Sequence, residues 1–104
     1  MQREEIIKII KEYVNNLEKS GVIVESVYLF GSFAKGNSNQ WSDIDVAIIS
    51  PYFRLKYNEG RFMLWKIRRT IDARIEPHGF TPEDWSDNVN PMAYEIKKTG
   101  VRIL

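Results

Sequence analysis

Apolar residues recur at a helical spacing at the start of the chain. Isoleucine, tyrosine, valine and leucine side chains follow one another every three or four residues between residues 3 and 19, which is the period of an amphipathic helix. Gly21, after Lys19 and Ser20, is a typical helix stop. The pattern therefore predicts a helix over residues 3–19 whose apolar stripe faces a sheet.

The spacing then changes to that of β-strands before helical spacing returns. The stretch VIVESVYLF is rich in β-branched and aromatic residues and predicts a strand at roughly residues 22–30, and a short helix opens at Ser32. The stretch DIDVAII predicts a second strand that is apolar on both faces, as in the centre of a sheet. A helix from about 56 to 71 follows, and ARIEPHGF alternates like a third strand.

Proline signals mark two short helices near the end of the chain. Thr81, Pro82 and Glu83 supply a helix cap, a proline for the first turn and an acidic residue. The Asn-Pro pair that follows starts another helix, which runs to Lys98, and VRIL forms a last short strand.

Composition narrows the classes of function. A chain of 104 residues predicts a single domain, 1–104. The net charge of +1 supplies no broad basic field, which disfavours nucleic acid and anionic membranes as general partners. The absence of cysteine removes disulfides, thiolate zinc sites and cysteine nucleophiles. Apolar runs are shorter than a membrane span, and we expect a soluble, cytoplasmic protein.

A glycine-serine corner follows the first predicted strand, in the stretch GSFAKGNSNQWSDID. Gly31 permits a turn that a Cβ would obstruct, and the amides that open the next helix can then bind an anion together with the Ser32 hydroxyl. This arrangement predicts that Gly31 and Ser32 hold the β- and γ-phosphates of a nucleotide, with Lys35 adding positive charge. The alternative is an ordinary Gly-Ser turn without a ligand.

Two aspartates stand one residue apart at the start of the second strand. Residues i and i+2 of a strand share a face with roughly 6.6 Å between their Cα atoms, so Asp43 and Asp45 aim at one spot. Two carboxylates about 4 Å apart repel by roughly 4 kcal/mol at an effective dielectric of about 20. Magnesium, which shares its oxygen ligands between carboxylates and phosphates, would relieve that repulsion. The alternative is that Asp43 caps a turn and Asp45 is solvated. The apolar residues that bury this strand argue against that alternative.

These motifs resemble a known family signature. Gly-Ser, ten residues and Asp-x-Asp resemble the signature of the minimal nucleotidyltransferases of the DNA polymerase β superfamily. The resemblance implies an α+β fold, with a small mixed β-sheet flanked by helices. It also implies two magnesium ions, a nucleoside triphosphate donor, in-line transfer of a nucleotidyl group with pyrophosphate leaving, and a third carboxylate on a neighbouring strand.

Small members of this superfamily suggest a biological role. Many resemble antitoxins encoded beside HEPN-domain ribonucleases, and they attach AMP to a tyrosine of the toxin. The chain is too short for the second domain of the antibiotic-modifying relatives, which favours the antitoxin branch. We therefore expect transfer of AMP from ATP to a HEPN-type partner, in a possible hetero-oligomer. Two alternatives are a binding module that masks its partner by contact alone, and a subunit that modifies a small molecule or an RNA end.

The third carboxylate is assigned to Glu76 rather than Asp72. Strand alternation in DARIEPHGF puts Asp72, Arg74, Glu76 and His78 on one face, so parity alone does not choose between the acids. Glu76 lies inside the predicted strand, whereas Asp72 belongs to the end of the preceding helix or its connection. We predict Glu76 as a catalytic and metal-binding residue, and Arg74 as a contact to the nucleotide or to an acid. The alternative for Glu76 is an ion pair with Arg74 or a lysine.

Four further residues have competing interpretations. His78 fits a structural role near a strand end better than proton transfer. Trp41, just before the aspartates, could pack on a base or on a partner protein. Trp65 and Trp85 are predicted to anchor the core.

Overall fold

A mixed four-stranded sheet is the middle layer of the computed structural model, which describes residues 3–39, 41–87 and 89–104. The strands are β1 (Ser26–Phe30), β2 (Ile44–Ile49), β3 (Ile75–Phe80) and β4 (Val101–Arg102). Their order in the sheet is β3-β2-β1-β4. β1 runs antiparallel to β2 and β4, whereas β2 and β3 are parallel. The predicted α+β fold, with a small mixed sheet flanked by helices, is confirmed.

Helices connect and cover these strands. They are α1 (Arg3–Lys19), α2 (Ser32–Lys35), α3 (Tyr52–Leu55), α4 (Tyr57–Ile71), α5 (Pro82–Ser86) and α6 (Pro91–Thr99). Among the described residues, no helix combines the length and the apolar character needed to cross a bilayer.

The first face of the sheet packs against α1 and α4. Alternate strand residues such as Val27, Val46 and Ile75 point into this core, where they meet the buried stripe of α1. The buried Tyr13 hydroxyl donates a hydrogen bond of 2.7 Å to the Leu64 carbonyl, which joins α1 to α4. The predicted orientation of the apolar stripe of α1 is confirmed.

The second face is covered by α5 and α6 over part of its area. A smaller core forms there, and its buried members are Ala47, Ile49, Phe80, Trp85, Ala93 and Ile96. The Thr81 hydroxyl accepts from the Asp84 amide at 3.0 Å and begins α5, and the Asn90 side chain accepts from the Ala93 amide at 3.1 Å and begins α6. Both helix starts match the sequence prediction.

Some element boundaries differ from the prediction. α1 and α4 match closely, but β1 begins at Ser26 rather than at residue 22. Ser26 pairs with Ile49, the last residue of β2, so the residues before Ser26 lie beyond the end of the neighbouring strand. β3 likewise begins at Ile75 rather than at residue 73, because Asp72 still caps the preceding helix.

Helix α3 is absent from the sequence prediction. The Ser50 hydroxyl accepts a hydrogen bond from the Tyr52 amide at 3.1 Å, and Pro51 stands at the N-cap of the helix. A serine followed by proline is also a helix-start signal. The helix is only four residues long, which is too short for an apolar helical period to appear in the sequence.

Candidate active site

The parallel pairing of β2 and β3 brings two predicted carboxylates together. Asp45 lies directly opposite Glu76 in the register of the two strands. Ligand atoms of Asp45, Glu76 and His78 all lie within 4.8 Å of one another, and all three residues are half-buried. The structure therefore places Glu76 beside Asp45, on the part of the second sheet face that lies beyond the small core.

The electrostatics of Asp45 reflect this crowding. Burial is the largest of the effects that together raise the pKa of Asp45 to about 6, and the others are the negative charges of Glu76 and Asp43 and a hydrogen bond with Glu76. A carboxyl group with such a pKa loses part of its charge near neutral pH unless a cation is present. The arrangement is thus suited to a positive ligand.

Gly31 lies against the Asp45 carboxylate. Its φ of 74° and ψ of −149° fall in a region that is essentially restricted to glycine. A Cβ at this position would collide with Asp45 Oδ2, so the missing side chain makes room for the carboxylate. Ser32 begins α2 directly after this turn and is half-buried, and Lys35 ends the same helix with an exposed side chain. The fold thus brings the predicted Gly-Ser corner to Asp45.

Asp43 stands slightly apart from the cluster. It precedes β2, which begins at Ile44 rather than at Asp43, and its side chain is exposed. Asp43 is near enough to raise the pKa of Asp45 by like charge, but it does not belong to the group of three whose ligand atoms lie within 4.8 Å.

Asp72 and Arg74 form an ion pair where α4 ends and β3 is about to begin. Asp72 is the C-cap of α4. The Arg74 guanidinium donates to the Asp72 carboxylate through Nε at 3.0 Å and Nη2 at 2.7 Å, and the Arg74 amide donates to Oδ1 at 2.9 Å. Hydrogen bonds from Arg74 lower the pKa of Asp72. Asp72 therefore belongs to the helix end, as predicted, and Arg74 pairs with Asp72.

His78 is the third member of this cluster, a position that the sequence analysis did not predict. Its Nε2 atom lies 3.8 Å from Glu76 Oε1, and its ring packs on Phe30 with 5.4 Å between the centroids. Burial lowers the pKa of His78, which leaves a neutral imidazole near pH 7. The two-residue spacing from Glu76 within one strand was the available signal.

The tryptophans have three different environments. Trp85 is buried in the small core, as predicted. The prediction that Trp65 anchors the core is wrong, because its side chain is 37% exposed and stacks on the Arg68 guanidinium, whose Cζ lies 4.5 Å from the ring centroid. Trp41 is 81% exposed.

The donor set fits a divalent cation. Two half-buried carboxylates offer oxygen ligands, the raised pKa of Asp45 reports the cost of leaving it charged without a counterion, and the neutral His78 imidazole offers a nitrogen. A cation there would remove the repulsion between Asp45 and Glu76.

A cavity adjoins the cluster. It has a volume of about 480 Å³ and lies along β3, between residues of α4 on one side and residues of α5 and α6 on the other. Glu76 and His78 belong both to the cluster and to the wall of this cavity.

Comparison with known proteins gives one family and one fold. The model of the nucleotidyltransferase domain family matches residues 4–87. Among curated proteins, no sequence match is found. A crystal structure of a presumptive nucleotidyltransferase from Sulfolobus solfataricus is similar with a TM-score of 0.65 and 22% identity, over 94% of this chain and 78% of that one. A crystal structure of a toxin-antitoxin with AMP-PNP is similar with a TM-score of 0.60 and 20% identity, over 89% of this chain and 71% of that one.

Proposed function

The chain belongs to the nucleotidyltransferase domain family, and from that premise we propose that it transfers AMP from ATP to a hydroxyl group of a partner protein. The partner in this proposal is a HEPN-type toxin and the accepting group a tyrosine, which makes the protein an antitoxin of the cytoplasm. The observation that carries the transferase proposal is the meeting of Gly31, Asp45 and Glu76 at one place on the second sheet face.

Each predicted site residue has a task in this proposal. Asp43, Asp45 and Glu76 hold the divalent cations, with two magnesium ions as the expected number. Gly31 and Ser32 orient the terminal phosphates of ATP. Bound magnesium would offset the negative charge of the triphosphate, and it would stabilise the negative charge that develops at the α-phosphate during transfer.

Two basic residues complete the proposed nucleotide site. Lys35 adds charge beside the terminal phosphates. The Arg74 guanidinium pairs with Asp72, and in this proposal it also contacts the nucleotide.

Glu76 is proposed to accept the proton of the attacking hydroxyl. It lies inside β3, adjacent to Asp45, and borders the open cavity from which a hydroxyl can approach. A positioned general base contributes roughly 100-fold to 10,000-fold to a rate. Asp45 and Gly31 act instead by holding the donor in place, which lowers the entropic part of the barrier.

The partner proposal rests on independent support. The solved structure of a toxin-antitoxin with AMP-PNP shares the fold of this chain. The exposed Trp41 side chain, just before Asp43, offers apolar surface for a protein contact near the proposed site. Both observations favour a macromolecular acceptor and a hetero-oligomer.

The test of the transferase proposal compares three variants for AMP transfer. The protein is incubated with ATP, magnesium and a HEPN-type protein encoded beside it, and the added AMP is measured by intact mass. Glu76→Gln should reduce the initial rate by about 100-fold or more, Asp72→Asn by less than about tenfold, and Glu12→Gln, on the exposed side of α1, should have no effect.

Two outcomes would overturn this assignment. Transfer that survives Glu76→Gln but is lost in Asp72→Asn would move the third carboxylate to Asp72. A partner that binds and is inhibited, but receives no AMP from the wild-type protein, would favour the binding-module alternative.

A further inference from the structure

The ring of His78, the single histidine of the chain, leans across the sheet. His78 lies on β3, opposite Ala47 of β2, yet its ring packs on Phe30 of β1 with 5.4 Å between the ring centroids. Since neighbouring strands are about 4.8 Å apart, β3 and β1 are separated by about 10 Å. Both rings therefore lean over β2, the strand that carries Asp45.

The neighbours of His78 leave room for this position of the ring. Ala47 offers only a buried methyl group beside it, so the space above this part of β2 is open to the imidazole. Phe30 lies opposite Asp45 in the register of β1 and β2, and its ring supports the imidazole from the far side. Packing thus holds the imidazole beside the carboxylates, and a ligand that is already in place loses little entropy when it binds an ion.

The distance between His78 and Glu76 is close to that between two ligands of one ion. His78 Nε2 lies 3.8 Å from Glu76 Oε1, which is too long for a hydrogen bond. In a tetrahedral zinc site with bonds of about 2.0–2.1 Å, two ligand atoms are about 3.3 Å apart. The two side chains therefore need to approach each other by only about 0.5 Å to bind one zinc ion.

The number and charge of the ligands also suit an ion of this kind. Asp45, Glu76 and His78 offer three protein ligands, and catalytic zinc sites have three protein ligands and one open position. Glu76 and His78 line the cavity along β3, so the open position is accessible. The two carboxylates offset the charge of a divalent ion, although the Arg61 cation also acts on His78.

We infer that Asp45, Glu76 and His78 bind a divalent transition-metal ion of the zinc class and that His78 is the ligand that selects it. Magnesium prefers oxygen ligands in octahedral geometry, whereas an imidazole nitrogen suits zinc and cobalt. Asp43 stands outside this cluster, which leaves Asp43 and Asp45 for the magnesium that accompanies the nucleotide. The inference rests on the proposed function for the use of the metal, and it replaces one of the two expected magnesium ions.

The experiment is a calorimetric titration of the full chain, without nucleotide, with zinc chloride or magnesium chloride at pH 7.5. We expect zinc to bind at least about 100-fold more tightly than magnesium. The chain has no cysteine, so thiolates make no contribution to the zinc binding. In a parallel NMR titration, zinc should shift the proton signals of the single imidazole and magnesium should leave them in place. This NMR result tests the wild-type protein directly and does not depend on how any variant folds.

Two variants locate the binding. His78→Ala should weaken zinc binding by at least about tenfold to 100-fold, because even groups outside the ligand set contribute that much to the affinity of a metal site. Asp84→Asn is the matched control, since Asp84 lines the same cavity but lies outside the cluster. It should change zinc binding by less than about twofold. Circular dichroism verifies that both variants are folded.

Three results would overturn the inference: equal affinities for zinc and magnesium, imidazole signals that zinc leaves unshifted, or equal effects of His78→Ala and Asp84→Asn. His78 would then be a structural neighbour of Glu76. Calorimetry of AMP-PNP binding with magnesium tests the proposed function separately. Its failure would reject the proposed function whatever zinc does, whereas nucleotide binding without zinc selectivity would reject only this inference.

Discussion

The two faces of the sheet are built from the same strands, but one face forms the main core and the other carries the candidate active site. In β2, Val46 and Ile48 enter the large core under α1 and α4, whereas Asp45 and Ala47 point to the second face. The first face is apolar along its length. The second face is apolar only where α5 and α6 cover it, and it turns polar at Asp45 and Glu76. Alternation within one strand thus lets a small domain combine a continuous core with an open reactive area.

The largest expected effect belongs to the first face. Leu29 is fully buried in the large core, and Leu29→Ala should lower the free energy of unfolding by about 3 kcal/mol, because a buried methyl-bearing side chain is lost and a cavity remains. Urea denaturation of the metal-free protein measures this value. A loss below about 1 kcal/mol would contradict the assignment of this face as the main stabilising core.

The next largest effect is expected at Gly31, which lies against the Asp45 carboxylate. Gly31→Ala should destabilise the fold by about 2 kcal/mol, since alanine is strained at this backbone conformation and its Cβ collides with Asp45. Gly36→Ala is the control, because Gly36 also has a positive φ, of 79°, but no atom lies within 4 Å of the position that a Cβ would take. Its cost should be about 1 kcal/mol, the left-handed strain alone.

A double-mutant cycle isolates the contact between Gly31 and Asp45. In the Asp45→Ala background, Gly31→Ala should cost about 1 kcal/mol less than in the wild-type background, because the colliding carboxylate is gone. Equal costs in both backgrounds would show that the collision is not what excludes a side chain at residue 31.

In the open half of the second face, a substitution at Asp45 should raise the stability of the protein instead of lowering it. The rise of the Asp45 pKa from its ordinary value of 3.8 to about 6 corresponds to about 3 kcal/mol in a fully shielded site. Solvent screening around this half-exposed carboxyl reduces the expected effect to about 1 kcal/mol. Asp45→Asn should therefore stabilise the metal-free protein by about 1 kcal/mol at pH 7.5.

The pH dependence of that gain follows from the direction of the shift. Because the pKa of Asp45 is raised in the folded state, the proton bound to Asp45 stabilises the fold. This contribution to stability is fully present below the pKa of the unfolded state and is lost as the pH rises through about 6. The advantage of Asp45→Asn over the wild type should thus shrink as the pH falls from 7.5 to 4.5. Thermal midpoints of both proteins across this range provide the measurement, and a constant or growing advantage would contradict the raised pKa.

A further effect of similar size is expected in the covered half of the second face. Thr81→Ala removes the cap of α5 and should cost about 1 kcal/mol of stability. Nucleotide binding should be unchanged, because Thr81 lies at the apolar end of β3, beyond Phe80. A loss of nucleotide binding comparable to that in Asp45→Asn would show that the two halves of this face do not act separately.

The sequence was informative where one local signal determined the outcome. The helical period of residues 3–19 and the caps at Thr81 and Asn90 act within a few residues, and the structure has them as predicted. The placement of Asp72 at a helix end and Glu76 inside a strand also followed from local pattern.

Features that depend on how distant segments pack together could not be predicted from the sequence. The start of β1 depends on where β2 ends, and the proximity of His78 to Asp45 depends on the parallel register of β2 and β3. Trp65 has the residue type of a core anchor, but its place on α4 turns it toward Arg68 and the cavity along β3. Neither the register nor the helix orientation is encoded within a single window of sequence.

The most direct test of the central claim, that Asp43 and Asp45 bind magnesium together with the nucleotide, is calorimetry of AMP-PNP binding with and without magnesium. The wild-type protein should bind AMP-PNP only with magnesium present, Asp43→Asn with Asp45→Asn should lose most of that binding while keeping the metal-free fold, and Glu76→Gln should retain it. Binding that is independent of magnesium, or unchanged in the double asparagine variant, would contradict the account.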